Sequence, residues 1–204
     1  LVSSSAFAYD DLITLENSPR VHEPGWAEGL ANIVYLTAGD TFDKDSEKQS
    51  LADDTTNLRI PLRARYAPIE NLEAFVLLPV VSMDNGVDSE TGIGDIWLGA
   101  KYSVMPDGML TVRGAVNLGT GDDEKGLGNT GGFGIDLALV HGKMLMEDTL
   151  YGMGQVGVRW MGEDSDTKLQ PGIGVYAAGG VGYSVAEKTW VSAGLELMTY
   201  GESA

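Results

Sequence analysis

The residues with the most scope for chemistry are charged side chains that recur at even spacing inside apolar segments. Arg59, Arg63 and Arg65 alternate with Leu58 and Ile60 along one such segment. Because successive side chains of a β-strand point to opposite faces, this spacing predicts a strand with one apolar face and one cationic face. The same alternation in other segments extends the polar face, whose predicted members are Arg59, Arg63, Arg65, Lys101, Arg113 and Arg159 with the acids Asp95, Asp136, Glu196 and, as a further candidate, Glu73.

A charged face of this kind has two interpretations. The groups either form a ladder of salt bridges that fills a narrow interior, or line a constriction that selects solutes by charge. Since the cations outnumber the acids on this face, we expect a cationic wall that favours anionic or electron-rich aromatic solutes over cations.

Residues suited to catalysis are sparse. His22 and His141 are the only histidines, and the chain has no cysteine. Nucleophilic catalysis by a hydroxyl needs a histidine beside a serine and a carboxylate, and no segment brings such a set together. His141 shares parity with Ile135 and Leu137, which predicts a structural position near the outer boundary of its strand. The sequence therefore predicts that the protein is not an enzyme.

Candidate ligand sites are weak. Asp84, Asp88 and Glu90 offer oxygen ligands at close spacing, without the twelve-residue pattern of a calcium loop. Two interpretations stand, a solvated acidic loop and a weak divalent-cation site that bridges the loop to anionic lipid head groups. The glycine-rich residues 119–128 do not follow the phosphate-cradle pattern, and their acids repel phosphate. No cofactor is predicted.

Composition limits the classes of partner. The 204 residues include 30 Asp and Glu against 13 Lys and Arg, a formal net charge of −17. This excludes nucleic acid as a general partner, because a phosphate backbone is bound by neutralising it with basic residues. No run of about 18 apolar residues offers a transmembrane helix. The 28 glycines, without a collagen period, are typical of β-structure with tight turns or crowded walls.

The elements that must position the charged face are predicted β-strands joined as hairpins. Alternation of apolar and polar residues recurs along the chain, and no segment shows a sustained helical period. Nine strands are predicted, at Glu28–Thr37, Asn57–Tyr66, Leu72–Val81, Asp95–Val104, Leu110–Leu118, Phe133–Met144, Gly154–Trp160, Ile173–Val185 and Trp190–Met198.

The connections between these strands alternate in length. Short turns are predicted at Ala67–Asn71, Met105–Gly108, Leu145–Thr149 and Ala186–Lys188. Long loops are predicted at Gly39–Thr56, Ser82–Gly94, Gly119–Gly132 and Met161–Pro171, and they hold 15 of the 30 acids. We expect all four long loops at one end of the molecule, facing the outside of the cell.

A membrane barrel accounts for this pattern. A transmembrane β-barrel has short turns at one end, longer loops at the other, an apolar outer face and a polar interior. A soluble sandwich or lipocalin-like barrel shows the same alternation with the faces reversed. The alternating loop lengths, and the Gly, Trp and Arg on the polar face, favour the membrane form. We predict an all-β fold, an antiparallel up-and-down transmembrane β-barrel of about 10–12 strands with a small bore.

One motif carries a family resemblance. Residues 91–102 read TGIGDIWLGAKY, which closely resembles the TGxGDxxLGxKY signature of a family of exported barrels named for a meta-pathway of phenol degradation. Members of that family are similar to porins of the Gram-negative outer membrane. The resemblance implies a barrel in the bacterial outer membrane and suggests the passage of small, aromatic molecules.

The chain divides into three predicted parts. Residues 1–8 end in Ala-Phe-Ala and match the tail and cleavage site of an export signal. Residues 9–27 form an N-terminal segment, and residues 28–204 form the barrel. Nine strands that begin at the short-turn end finish at the long-loop end, whereas such barrels have an even number. We therefore expect either a further strand beyond Ala204 or a strand at Asp10–Glu16.

Two functions are carried forward. The first is a porin-like outer-membrane channel for small solutes, possessing a charged bore. The alternative is a plugged structural or interaction barrel, without a transport role, whose acidic loops contact surface partners. The expected partners are membrane lipid, lipopolysaccharide, small solutes and divalent cations at the acidic loops.

Overall fold

The chain forms one antiparallel β-sheet. The computed structural model describes residues 20–42, 48–84, 88–105, 110–122, 125, 127–128, 132–146, 149–162, 172–186 and 189–200. Within these ranges no helix is long and apolar enough to cross a membrane. The strand segments are β1 (Ala27–Ala31), β2 (Val34–Phe42), β3 (Lys48–Ile69), β4 (Leu72–Asp84), β5 (Ser89–Ile93), β6 (Trp97–Ser103), β7 (Leu110–Asn117), β8 (Gly134–Met146), β9 (Leu150–Met161), β10 (Gly172–Ala186) and β11 (Thr189–Tyr200).

The eleven segments occupy nine positions in the sheet. Segments β1 and β2 both pair with β3, and β5 and β6 both pair with β4, so each couple forms one interrupted strand. From β6 to β11 every strand pairs with its neighbour in sequence. The nine predicted strands and the up-and-down order are therefore confirmed, in a sheet that curls into a half-barrel.

Two prolines explain the interruptions. Pro61 of β3 and Pro79 of β4 lie directly opposite each other. The carbonyl of Pro61 turns away from β4 and accepts a hydrogen bond from Asn32 N at 3.3 Å, while that of Pro79 accepts one from Gly94 N at 2.8 Å. The nitrogens on those same sides carry no hydrogen to donate. The ladders consequently break between β1 and β2 and between β5 and β6.

Two predicted loops are wrong in extent. Segments β2 and β3 stay paired out to Phe42 and Lys48, so the region predicted as the loop Gly39–Thr56 is mostly a hairpin. Segments β4 and β5 likewise stay paired out to Asp84 and Ser89, inside the predicted loop Ser82–Gly94. Backbone pairing needs no apolar side chains, so strands continue there after the alternation has ended.

The two faces of the sheet differ as predicted. The outer face carries exposed apolar side chains, and the inner face carries buried polar and charged ones. The outward residues predicted from parity are exposed or half-buried in the structure: Leu58, Ile60, Leu62, Leu98, Val112, Val116, Leu137, Val156, Val158, Val181 and Leu195. His141, also on the outer face, is exposed near the end of β8. A soluble domain reverses this arrangement, so the all-β membrane-barrel fold class is confirmed.

Exposed aromatic residues border the apolar outer face at both ends. Tyr66, Tyr102 and Tyr183 lie near the short turns. At the long-loop end Tyr35 is exposed, and the rings of Phe133 and Trp160 lie 6.5 Å apart. Tyr35 pairs with Leu58, eight residues from Tyr66 along β3, which is roughly 27 Å of strand. A strand tilt of about 40° reduces this to roughly 20 Å, close to the apolar band of such barrels.

Candidate functional site in the barrel interior

The middle of the inner face holds a buried ionic network around Asp136 of β8. Arg113 Nη2 donates to Asp136 Oδ1 at 2.9 Å, and Arg159 Nε donates to Asp136 Oδ2 at 3.2 Å. The hydroxyl of Tyr176 donates to Asp136 Oδ1 at 3.0 Å and accepts from Arg113 Nη2 at 2.7 Å. One carboxylate thus binds groups from β7, β9 and β10. We name these four residues the Asp136 network.

The Asp136 network extends to uncharged neighbours. Arg113 Nη1 donates to Gln155 Oε1 at 3.3 Å, and the guanidinium of Arg159 lies 4.7 Å from the ring of Trp97 on β6. Arg113 and Asp136 have no solvent-exposed surface, and Arg159 keeps 3%. The network therefore carries two positive charges against one negative charge, packed across five adjacent strands.

Two glycines allow aromatic rings to lie against the inner face. Tyr176 pairs with Gly157, and a Cβ at position 157 would lie 2.4 Å from the tyrosine Cζ and hydroxyl oxygen. Phe75 pairs with Gly99, where a Cβ would lie 2.2 Å from the phenyl ring. Each ring covers the glycine opposite it, and the tyrosine hydroxyl reaches Asp136 in consequence.

A second ionic cluster surrounds Glu73 near the short-turn end. Lys101 Nζ lies 3.0 Å from Glu73 Oε1 on the adjacent strand, and both side chains are fully buried. Arg65 Nη1 lies 3.8 Å from the same oxygen, and Arg65 also forms an ion pair with Glu28 of β1. We name Glu28, Arg65, Glu73 and Lys101 the Glu73 cluster.

Residues 20–26, which we name the strap, lie against the Glu73 cluster. His22 Nδ1 lies 2.7 Å from Glu73 Oε2, and Lys101 Nζ donates to the Arg20 carbonyl at 2.9 Å. The His22 ring stacks on Trp26 at 3.5 Å between centroids. The Arg65 guanidinium lies 5.0 Å from the Trp26 ring. The strap thus crosses the inner side of β3, β4 and β6.

At the long-loop end, Asp95 binds part of the connection between β7 and β8. Its Oδ1 accepts from Gly121 N at 2.8 Å, and its Oδ2 accepts from Asn117 Nδ2 at 3.4 Å. Gly121 and Gly128 pack backbone to backbone, with room for no Cβ. Leu127 is buried against Gly92 and Gly94. The described part of this connection therefore folds over the inner face.

The TGIGDIWLGAKY motif now has a structural account. Its inward residues supply the loop anchor Asp95, the Trp97 ring, the space at Gly99 and the cation Lys101. Its outward residues Leu98, Ala100 and Tyr102 are exposed on the apolar face. The motif therefore links all three levels of the interior on one interrupted strand.

The remaining predicted site residues fall in different places. Arg59 is buried on the inner face, where its Nε donates to Asn57 at 3.2 Å, and Arg63 is half-buried on the same face. Glu196 lies in β11 opposite Ala178, and its side chain falls outside the described part. The export-signal residues 1–8 and a strand at 10–16 also fall outside it.

The acidic hairpin tip does not form a metal cluster among the described residues. Asp84 is opposite Ser89, whereas Glu90 is opposite Met83. Since directly opposed residues share a face, Asp84 and Glu90 project to opposite faces of the hairpin. The structure does not bring the predicted divalent-cation ligands Asp84, Asp88 and Glu90 together.

Several interior residues were not predicted from the sequence as site members. They are His22, Trp26, Glu28, Trp97, Gln155 and Tyr176. Parity alone places Trp97, Gln155 and Tyr176 on the polar face, so that signal was available. His22 and Glu73 are 51 positions apart, and no periodic pattern links them.

An antiparallel sheet with an apolar exterior, aromatic borders and a charged interior defines a β-barrel of the outer-membrane type. The sequence matches, over residues 33–203, the family described as "Putative MetA-pathway of phenol degradation", and the chain belongs to that family. The predicted family resemblance is thereby confirmed.

A solved structure shares the fold. An outer membrane channel from Pseudomonas putida F1 superposes with a TM-score of 0.66 at 18% sequence identity. The match covers 90% of this chain and 75% of that channel. No curated protein sequence matches the chain.

Proposed function

We propose that this protein is an outer-membrane channel for small solutes in a Gram-negative bacterium. The observation that carries the proposal is the reversal of faces: apolar side chains contact lipid outside, while charged side chains line the interior. A protein embedded in lipid has no need of an ionic interior for solubility, so the charged face points to contact with water and solutes. The fold of the channel from Pseudomonas putida F1 supports it.

We further propose a preference for anionic or electron-rich aromatic solutes. Six cations of the inner face, Arg59, Arg63, Arg65, Lys101, Arg113 and Arg159, accompany the acids Glu28, Glu73, Asp95 and Asp136 among the described residues. Cation–π geometry at Trp97 and Trp26 shows that these guanidinium groups accommodate aromatic rings. The family description, which concerns phenol degradation, is consistent with such solutes.

A second candidate function is the plugged structural barrel. It is favoured by the complete burial of Glu73, Lys101, Arg113 and Asp136, which indicates close packing at two levels of the interior. Under this alternative the ionic groups fix the sheet and pass nothing.

Planar-bilayer recording separates the two functions. The purified protein is inserted into a lipid bilayer, and a salt gradient across the bilayer gives the ion selectivity. A channel gives discrete conductance steps with a reversal potential on the anion side, and Arg159→Ala shifts that potential towards zero. Insertion without any conductance step favours the plugged barrel, and cation selectivity that persists at high salt contradicts the solute preference.

A further inference from the structure

The strap closes the short-turn end of the interior. Glu73 is the second residue of β4, and Lys101 is the third from the end of β6. Charged side chains so near the ends of their strands would meet water in an open bore. Both are nevertheless fully buried, and the strap supplies the covering contacts through His22 and the Arg20 carbonyl.

The strap is held differently from the strands it crosses. Its backbone joins the sheet through two hydrogen bonds, Gly25 N to Ala67 O at 2.8 Å and Ala67 N to Trp26 O at 3.0 Å. Gly25 has a φ of +87°, a conformation that residues with a side chain rarely adopt. The strap therefore turns at a glycine, just before β1 begins, and its other described contacts with the sheet are made by a few side chains and one carbonyl.

We propose that the strap is a gate, and that solute passage requires residues 20–25 to leave Glu73 by rotation about Gly25. This inference rests on the proposed channel function. The strands cannot separate without breaking the sheet, whereas the strap can leave while every strand pair is kept. Departure exposes Glu73, Lys101 and Arg65 to water, which compensates them for the lost contacts and leaves a charged entrance at this end.

Chemical labelling of Lys101 tests the strap directly. The folded protein in detergent is treated briefly with an amine-reactive reagent, and modification is measured on peptides by mass spectrometry. Lys125, which is half-exposed, serves as the internal reference. Trp26→Ala removes the ring between His22 and Arg65, and His22→Ala removes the partner of Glu73. Each should raise Lys101 labelling about tenfold, since each removes a charge-assisted contact or a cation–π contact.

The matched control is Glu23→Gln. Glu23 belongs to the strap, but its side chain is exposed and only its carbonyl bonds within the strap, to Trp26 N. Lys101 labelling in this variant should equal that of the wild type. Retention of heat-modifiable electrophoretic mobility verifies that each barrel is folded. Lys101 that stays protected in both Trp26→Ala and His22→Ala overturns the proposal.

Bilayer recording on the same variants separates failure of the gate from failure of the channel. The wild type and Glu23→Gln should open briefly, and the open fraction should rise about tenfold in Trp26→Ala and His22→Ala. Equal, nonzero conductance in all four proteins overturns the gate but leaves the channel. Silence in all four, with Lys101 labelled in the strap variants, overturns the channel and the gate together.

Discussion

Asp136 is the residue on which the middle of the interior depends. Its carboxylate receives two guanidinium groups and a phenol, all of them buried. Asp136→Asn keeps the size of the side chain but leaves two buried cations without a counter-charge. We expect a loss of about 3–5 kcal/mol in the free energy of unfolding, measured by denaturant titration in lipid vesicles.

The control for this loss is Asp122→Asn. Asp122 also forms an ion pair, 3.1 Å from Lys125, but both side chains are substantially exposed. An exposed pair of this kind contributes about 0–1 kcal/mol. Equal losses for the two variants would show that burial does not set the contribution of the Asp136 network.

Asp95 is the second residue with a separable role. Asp95→Ala removes the acceptor that holds Gly121 N, so the connection between β7 and β8 should detach from the inner face. Trypsin cleavage after Lys125 then rises about tenfold, because a lost hydrogen bond to a charged group raises the population of the open form. Asp84→Ala, which removes an exposed acid from the same end, should leave cleavage unchanged.

At the residue scale, the sequence predicted the membership of the polar face better than its contacts. Parity placed Arg113, Asp136 and Arg159 on one face, and the structure joins them. It could not predict that Asp95 holds a loop amide, because Asp95 and Gly121 are 26 positions apart and loop geometry has no period. The strap escaped prediction for the same reason.

At the scale of the strand, a glycine and an aromatic ring act as one unit. Gly157→Ala puts a methyl group where the Tyr176 ring and hydroxyl lie, so the phenol must move away from Asp136. We expect a loss of about 1–3 kcal/mol in the free energy of unfolding from this overpacking. Denaturant titration in lipid vesicles measures it.

Gly154→Ala is the matched control on the same strand. A Cβ there meets its nearest atom at 3.6 Å, an ordinary contact. The change should stay within about 0.5 kcal/mol. A loss at Gly154 as large as that at Gly157 would indicate that glycine is needed for strand conformation and not for the ring.

The strands themselves were predicted well where they cross lipid and poorly beyond it. Alternation arises because one face meets lipid and the other does not. Residues 38–42 and 48–56 continue β2 and β3 past Tyr35, beyond the aromatic border, where neither face meets lipid. Alternation has no physical cause there, so the sequence predicted a loop in place of a hairpin.

At the scale of the whole molecule, the position of the membrane can be tested on β3. Leu62 lies on the outer face midway between Leu58 and Tyr66, so it marks the centre of the apolar band. Leu62→Arg should cost about 2–4 kcal/mol in the free energy of unfolding in vesicles. Ile69→Arg, at the short-turn end of the same strand, should cost about 0–1 kcal/mol. Equal costs would contradict the membrane position.

The order of the strands bears on how such a barrel changes its circumference. Strands that pair mainly with their neighbours in sequence allow a duplicated hairpin to be inserted, which widens the barrel by about 10 Å. Between β1 and β10, however, every boundary is spanned by an ionic, cation–π or hydrogen-bonded contact of the interior. An insertion there would separate buried charges from their partners. Evolutionary widening is therefore confined to positions after β10, and the ionic half of the wall keeps a fixed width.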